Sequence, residues 1–241
     1  MHILGHRGAM AHRPENTLSG IRHALTDARV AGVEFDVRLS ADGTPMVFHD
    51  RQMERLTGRA GILEETCDAD LAERTVRGEA IPTLEATVAL WQDLRPHPVP
   101  RAFNVELKPT GNFAALVAAC RPMLDPIAGH NRESTPLVVS SFDPRILRAA
   151  QQQGVQWRLA LLFEDARELD ALRFLERADE VDLHPHHSLL DDRSAHHWAR
   201  PARDIRCWTV NDANEAVRLR DLGCAAVICN SPMTMADALE A

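Results

Sequence analysis

Eight short apolar runs, each followed by a turn and a helix-periodic stretch, recur along the chain: Ile3–Gly5, Val33–Val37, Phe103–Leu107, Leu137–Ser140, Leu159–Phe163, Val181–Leu183, Ile205–Val210 and Ala226–Cys229. Strands that alternate with helices build βαβ units, and such units share a parallel sheet. Eight units in 241 residues fit an α/β fold of the closed (β/α)8 TIM barrel type better than an open doubly wound sheet. No Gly-x-Gly-x-x-Gly follows the first run, so the dinucleotide-binding signature is absent. Asp143-Pro144 and Ser231-Pro232 each pair an N-cap residue with a proline at the first helical position. Asp212 and Glu215 predict a capping box, and Leu18, Ile21, Leu25 and Ala28 predict one buried face of the first helix.

The rhythm breaks between residues 38 and 102. Ala41-Asp42-Gly43-Thr44 predicts a hairpin turn into a short strand, Pro45–Phe48, and a helix opens near Thr83. Between them, Arg51–Ala80 is read as a short insertion after strand 2, on the barrel rim and too short for an independent core. No repeat or flexible linker interrupts the chain, so residues 1–241 are expected to form one domain.

Composition excludes several function classes. Net charge is −8 without a basic block, which argues against a nucleic-acid groove or an anionic membrane surface. No apolar run reaches the roughly eighteen residues of a membrane span, so no stable membrane insertion is expected. The N-terminus lacks a secretory pattern. Five cysteines, Cys67, Cys120, Cys207, Cys224 and Cys229, form no Cys-x-x-Cys pair and read as reduced thiols of a cytoplasmic protein. Cys224 and Cys229 could form a zinc half-site, but no second half follows.

Buried parallel strands should be nearly continuous apolar runs. Here Glu34 and Asp36 interrupt the second at i and i+2, and Asn104, Glu106 and Lys108 repeat the device on the third. That period places each set on one strand face. His6-Arg7 ends the first strand and His49-Asp50 ends the hairpin after the second, so all converge on the C-terminal mouth where barrel enzymes gather catalytic groups. Three clustered carboxylates require a compensating cation, and oxygen donors suit Mg²⁺ or Ca²⁺. Arg7 and Lys108 suit an anionic, phosphate-like group. Lys108 is the single lysine among 27 basic residues, a compact ammonium where arginine is used everywhere else. His6 and His49 can exchange protons near neutral pH. Together these describe acid–base cleavage of a phosphate ester.

His6-Arg7-Gly8 followed by Pro14-Glu15-Asn16-Thr17 resembles the opening motif of the glycerophosphodiester phosphodiesterase family. The resemblance continues through Glu34-Phe35-Asp36-Val37, Val47-Phe48-His49-Asp50, Ile81-Pro82-Thr83-Leu84-Glu85, Asn104-Val105-Glu106-Leu107-Lys108, Ser141-Phe142 and Trp208-Thr209-Val210-Asn211. With His184…His187-Ser188-Leu189-Leu190 it looks most like the small bacterial cytosolic members. It implies hydrolysis of a small-molecule glycerophosphodiester to sn-glycerol 3-phosphate and an alcohol, with one divalent cation as cofactor. It further implies that Glu34, Asp36 and Glu106 hold the metal, that His6 and His49 are the acid–base pair, and that Arg7 and Lys108 bind phosphate. Glu15 and Asn16 would brace the mouth, and Trp208 would line the pocket. Which histidine is acid and which is base stays open, and a homo-oligomer is compatible with the pattern.

The chain departs from the family late, where Cys229-Asn230-Ser231-Pro232 replaces the more usual Thr-Asp ending of the last strand. The histidine clusters His184, His186, His187 and His196, His197 lack metal-ligand spacing and read as a solvent-facing loop and helix, although His184 could reach the pocket from its strand end. Four rival functions are a phosphodiesterase acting on lysophospholipids, a non-catalytic phosphate-binding barrel, a metal-dependent isomerase and a Schiff-base aldolase. The first needs an apolar entry surface that the sequence lacks; the second would have no need of His6 and His49. The last needs a lysine held neutral by burial, and Lys108 sits two residues from an acidic candidate ligand.

Overall fold

In the computed structural model, which describes residues 1–94, 102–128 and 136–240, the chain opens with β1 (His2–Gly5), α1 (Leu18–Thr26) and β2 (Gly32–Leu39). β3 (Pro45–Val47) folds back antiparallel onto β2, opposing Val47 to Val37. Two short helices, α2 (Glu54–Thr57) and α3 (Asp68–Ala72), precede a hairpin of β4 (Thr75–Val76) and β5 (Glu79–Ala80). Alternation then resumes with α4 (Leu84–Leu94), β6 (Ala102–Leu107), α5 (Phe113–Leu124), β7 (Leu137–Ser141), α6 (Pro144–Gln152) and β8 (Arg158–Phe163). The last third holds β9 (Asp182–Pro185), α7 (Asp192–Trp198), β10 (Arg206–Cys207), α8 (Ala213–Asp221), β11 (Ala226–Cys229) and α9 (Pro232–Glu240).

Eight strands pair in parallel in the order β10-β11-β1-β2-β6-β7-β8-β9. Single parallel bridges, Leu183 to Ile205 and His186 to Trp208, bring β9 against β10 and close the ring. The result is a (β/α)8 barrel. Along β2, Val33, Phe35 and Val37 point outward to the helices, while Glu34 and Asp36 take the opposite, inner face. Phe35 packs on Phe103 at 4.7 Å between ring centres, and Trp91 of α4 covers Phe103 at 5.1 Å. Burying each such ring contributes about 2–3 kcal/mol, which anchors β2 and β6 side by side in the register that sets Asp36 beside Glu106.

Several local expectations change. The buried face of α1 is Gly20, Ile21, Ala24 and Leu25; Leu18 is exposed at the first turn and Ala28 lies beyond the helix. Asp212 does cap α8 through the Glu215 N–H, but the Glu215 carboxylate accepts from His187 and Arg218 rather than closing the box. β10 is two residues long instead of the expected Ile205–Val210. Between β8 and β9 the chain winds as 3₁₀ turns over Ala166–Phe174 rather than an α-helix. The segment after β2 gathers a small apolar cluster of its own, in which Met53, Leu63 and Leu71 pack beneath Phe48. Part of the irregular stretch, residues 95–101, lies outside the described residues.

At the strand N-termini an ion-paired layer fills the barrel floor. Arg158 and Arg206 both donate to Asp182, each at 2.5 Å. His184 stands one layer above, fully buried with Nε2 3.5 Å from Arg206. It therefore belongs to the barrel interior and not to the mouth. The cysteines are unpaired thiols, four of them buried. Among the described residues Cys224 and Cys229 belong to no cluster of three metal-ligating groups.

Candidate active site

β1 ends in a turn that needs its glycine. Gly8 has φ +84°, and a Cβ there would lie 2.6 Å from the Gly20 carbonyl carbon. Arg7 and Asn16 also adopt left-handed φ values, 48° and 58°. This local strain aims both side chains at β2. The Arg7 N–H donates to Glu34 Oε2 at 3.0 Å, and its guanidinium contacts Glu15 at 2.7 Å and Asp36 at 3.4 Å. Asn16 grips Asp36 twice, donating from Nδ2 to Oδ2 at 2.8 Å and accepting from its backbone N–H at 3.2 Å.

Glu34, Asp36 and Glu106 each offer a carboxylate oxygen within 4.8 Å of the others, and all are buried. Lys108 Nζ lies 2.9 Å from Asp36 Oδ1 and contacts Glu106 as well. Burial, with Asp36 and Glu106 close by, pushes Glu34 well above the usual carboxylate range. Burial also raises Glu106, to about 7, against the pull of Lys108. Burial acts upward on Asp36 too, but Lys108, His49 and Arg7 outweigh it and hold Asp36 low. Lys108 cannot neutralise three carboxylates alone, so the cluster favours a further cation. Three oxygen donors with room beside them form an acceptable partial shell for Mg²⁺ or Ca²⁺. Asn104, from the same strand face as Glu106, adds a buried side-chain oxygen with no hydrogen-bond partner.

The histidines differ in support. His6 Nδ1 donates to Asn230 Oδ1 at 2.7 Å, while His49 Nδ1 faces Asp50 Oδ1 at 2.6 Å. Asp50 is itself held by Arg55, which also binds Glu15. Burial, reinforced by Arg7, lowers His6 to about 4. Burial lowers His49 as well, opposed by Asp36 and Asp50.

These groups line one cavity of about 230 Å³ at the C-terminal mouth. Of the residues expected from sequence, His6, Arg7, Glu34, His49, Glu106, Lys108 and Trp208 reach it. Asp36, Glu15 and Asn16 stand behind these and hold them. Trp208 donates its indole N–H to the His184 carbonyl at 2.8 Å and meets Phe142 edge-to-face at 5.2 Å.

The family model described as glycerophosphoryl diester phosphodiesterase matches residues 6–234 of this chain. The chain belongs to the glycerophosphoryl diester phosphodiesterase family. Membership makes it a phosphoric diester hydrolase. A glycerophosphodiester phosphodiesterase of Caldanaerobacter subterraneus is 24% identical over 97% of this chain and 95% of its own length. Among solved structures, an Oleispira antarctica phosphodiesterase in complex with the product sn-glycerol-3-phosphate superposes with a TM-score of 0.86. It is 26% identical and covers 100% of this chain and 97% of that one. The glycerophosphodiester phosphodiesterase of Thermotoga maritima shares the fold, with a TM-score of 0.74 at 23% identity over 98% and 96% of the two chains.

Within this family site, sequence reasoning placed Asp50 at the mouth and singled out the segment holding Asn230, but it assigned neither to a histidine and missed Arg55 and Glu164 as neighbours of the chemistry. Asn104 carried a readable signal, its i, i+2 relation to Glu106. The others are single polar residues in loops or, for Arg55, in the one-turn helix α2, where no periodicity marks them. Among the described residues no helix is long and apolar enough to cross a membrane.

Proposed function

We propose that this enzyme hydrolyses glycerophosphodiesters to sn-glycerol 3-phosphate and an alcohol by histidine acid–base catalysis with a divalent cation. The observation that carries this is the meeting, in one small cavity, of His6, His49, Glu34 and Glu106 with Arg7 and Lys108 beside them, and with Asp36 directly behind completing the carboxylate cluster. Glu34, Asp36 and Glu106 would hold the cation, which when bound polarises a phosphoryl oxygen and compensates its charge. Arg7 and Lys108 supply fixed positive charge toward the phosphate.

The substrate's own glycerol 2-hydroxyl is the nucleophile in this reading, which provides a high effective concentration. As its oxygen bonds to phosphorus, its proton passes to a histidine, and the bond from phosphorus to the departing alcohol breaks. The Asn230 amide oxygen can only accept, so His6 Nδ1 carries the hydrogen and Nε2 is free to take that proton. Asp50 behind His49 supports a charged imidazolium, which suits His49 to protonate the departing alcohol. Water then opens the cyclic phosphate with the proton transfers reversed, leaving sn-glycerol 3-phosphate. The cavity of about 230 Å³ accommodates a glycerophosphate group.

Assay of sn-glycerol 3-phosphate release from a panel of glycerophosphodiesters, with Mg²⁺, Ca²⁺ or EDTA, tests this reading. Cation-dependent release supports it; turnover confined to lysophospholipids, or none from folded protein, contradicts it.

A further inference from the structure

The mouth of the barrel has two unlike halves. β1, β2, β3 and β6, with the residues just beyond their ends, supply the histidines, acids and cations, whereas the loops after β7, β8 and β10 supply Phe142, Glu164 and Trp208. Phe142 is 37% exposed and stands at 88° to Trp208, so an aromatic corner opens onto the cavity. Its ring already takes an ammonium, since Lys108 Nζ lies 5.9 Å from the Phe142 centroid. Glu164 is exposed at the same cavity, and among the described residues no arginine, lysine or histidine pairs with its carboxylate within 4.0 Å. By contrast Arg7 and Lys108, the cations of the other half, are engaged with Glu15, Asp36 and Glu106.

Aromatic faces joined to an unpaired carboxylate attract an organic cation, and a quaternary ammonium most of all. An anionic substituent placed there would meet Glu164, and the cation beside the Phe142 ring, Lys108, is already bound by Asp36 and Glu106. Building on the phosphodiesterase reading above, we propose that Phe142, Trp208 and Glu164 form a cation subsite. It selects glycerophosphodiesters whose departing alcohol carries an ammonium group, of the choline or ethanolamine kind.

The test compares kcat/KM of the full chain on sn-glycero-3-phosphocholine and on sn-glycero-3-phosphoglycerol, whose headgroup is uncharged. The subsite predicts a preference of about three- to thirtyfold for the choline diester. Glu164→Gln reduces that ratio several-fold, and Glu164→Lys inverts it. Because Glu164 is exposed, neither substitution disturbs the core. Choline inhibits more strongly than its uncharged isostere 3,3-dimethylbutan-1-ol. Equal kcat/KM for the two diesters, with a ratio unmoved by Glu164→Gln, overturns the subsite and leaves the phosphodiesterase reading standing. Absence of turnover of either diester, with Mg²⁺ or Ca²⁺, overturns that reading and the subsite with it.

Discussion

His6 is oriented by an amide and His49 by a carboxylate: Nδ1 of the first lies 2.7 Å from Asn230 Oδ1, and Nδ1 of the second 2.6 Å from Asp50 Oδ1. An amide oxygen fixes a tautomer without adding charge, whereas a carboxylate favours the protonated ring. In the proposed mechanism this difference suits His6 to accept a proton and lets Asp50 stabilise His49 when it carries one.

Asn230→Ala removes the orienting bond while leaving His6 in place. A misaligned base costs up to about 10²-fold in rate, so kcat is expected to fall by about tenfold to a hundredfold with KM changed little. Asn230→Asp restores an acceptor for Nδ1 but adds a charge that favours the protonated ring, so it should recover only part of that loss. Steady-state kinetics of both variants decide it; a normal kcat in Asn230→Ala removes Asn230 from the account.

His49→Ala should lower turnover by about 10²–10⁴-fold, the usual contribution of a general acid or base. Asp50→Asn should fall between wild type and that variant, because it leaves the imidazole present but withdraws its charge partner. Single-turnover rates on one diester check both, and near-normal rates in His49→Ala would contradict the assignment.

Lys108 is 7% exposed and wedged against Asp36 and Glu106. Lys108→Arg forces a planar guanidinium into that space, and overpacking costs about 1–3 kcal/mol. Lower stability in urea together with lower turnover is expected; unchanged values for both would defeat the argument drawn from the single lysine.

Cation binding should release protons. Glu106 is held near 7 and Glu34 is raised, so both carry protons in the metal-free protein that a cation must displace. Affinity for Mg²⁺ or Ca²⁺ therefore rises as pH rises through about 7. Calorimetry in buffers of different ionisation enthalpy measures the protons released, and Glu106→Gln should reduce both that count and the affinity. A pH-independent affinity would contradict the cluster as the binding site.

His184 predicts acid sensitivity of the fold. It is buried and lowered to about 3, by burial first and then by Arg206 and Arg158 against Asp182. The unfolded chain binds its proton near 6.5, so this contribution to stability is intact above 6.5 and is lost as pH falls below it. Between pH 7 and 5 the loss attributable to His184 is about 2 kcal/mol. Urea unfolding of wild type and His184→Leu at the two pH values checks it; an equal pH dependence in both excludes this origin.

The barrel and much of the site could be read from sequence because buried parallel strands ought to be apolar. Glu34, Asp36, Asn104 and Glu106 violate that rule with a two-residue period, so their shared face was visible before their contacts were. Other features leave no such trace. Asn230 is one amide at a strand end, and its partner is 224 residues away in the chain. β10 keeps only two residues in regular pairing, since the chain beyond it turns to carry Trp208 over the cavity. The 3₁₀ stretch after β8 packs Leu169 and Leu172 on the core at a spacing a helix shares, so periodicity alone does not separate the two. His184 looked free to enter the pocket because alternation gives a side chain's face and not its depth in the barrel.

The central claim is tested most directly by sn-glycerol 3-phosphate release from sn-glycero-3-phosphocholine, with wild type and His49→Ala run side by side in Mg²⁺, Ca²⁺ and EDTA. The account predicts release that requires a divalent cation and drops by at least about 10²-fold in the variant. Release that persists in EDTA, or that His49→Ala leaves intact, would contradict it.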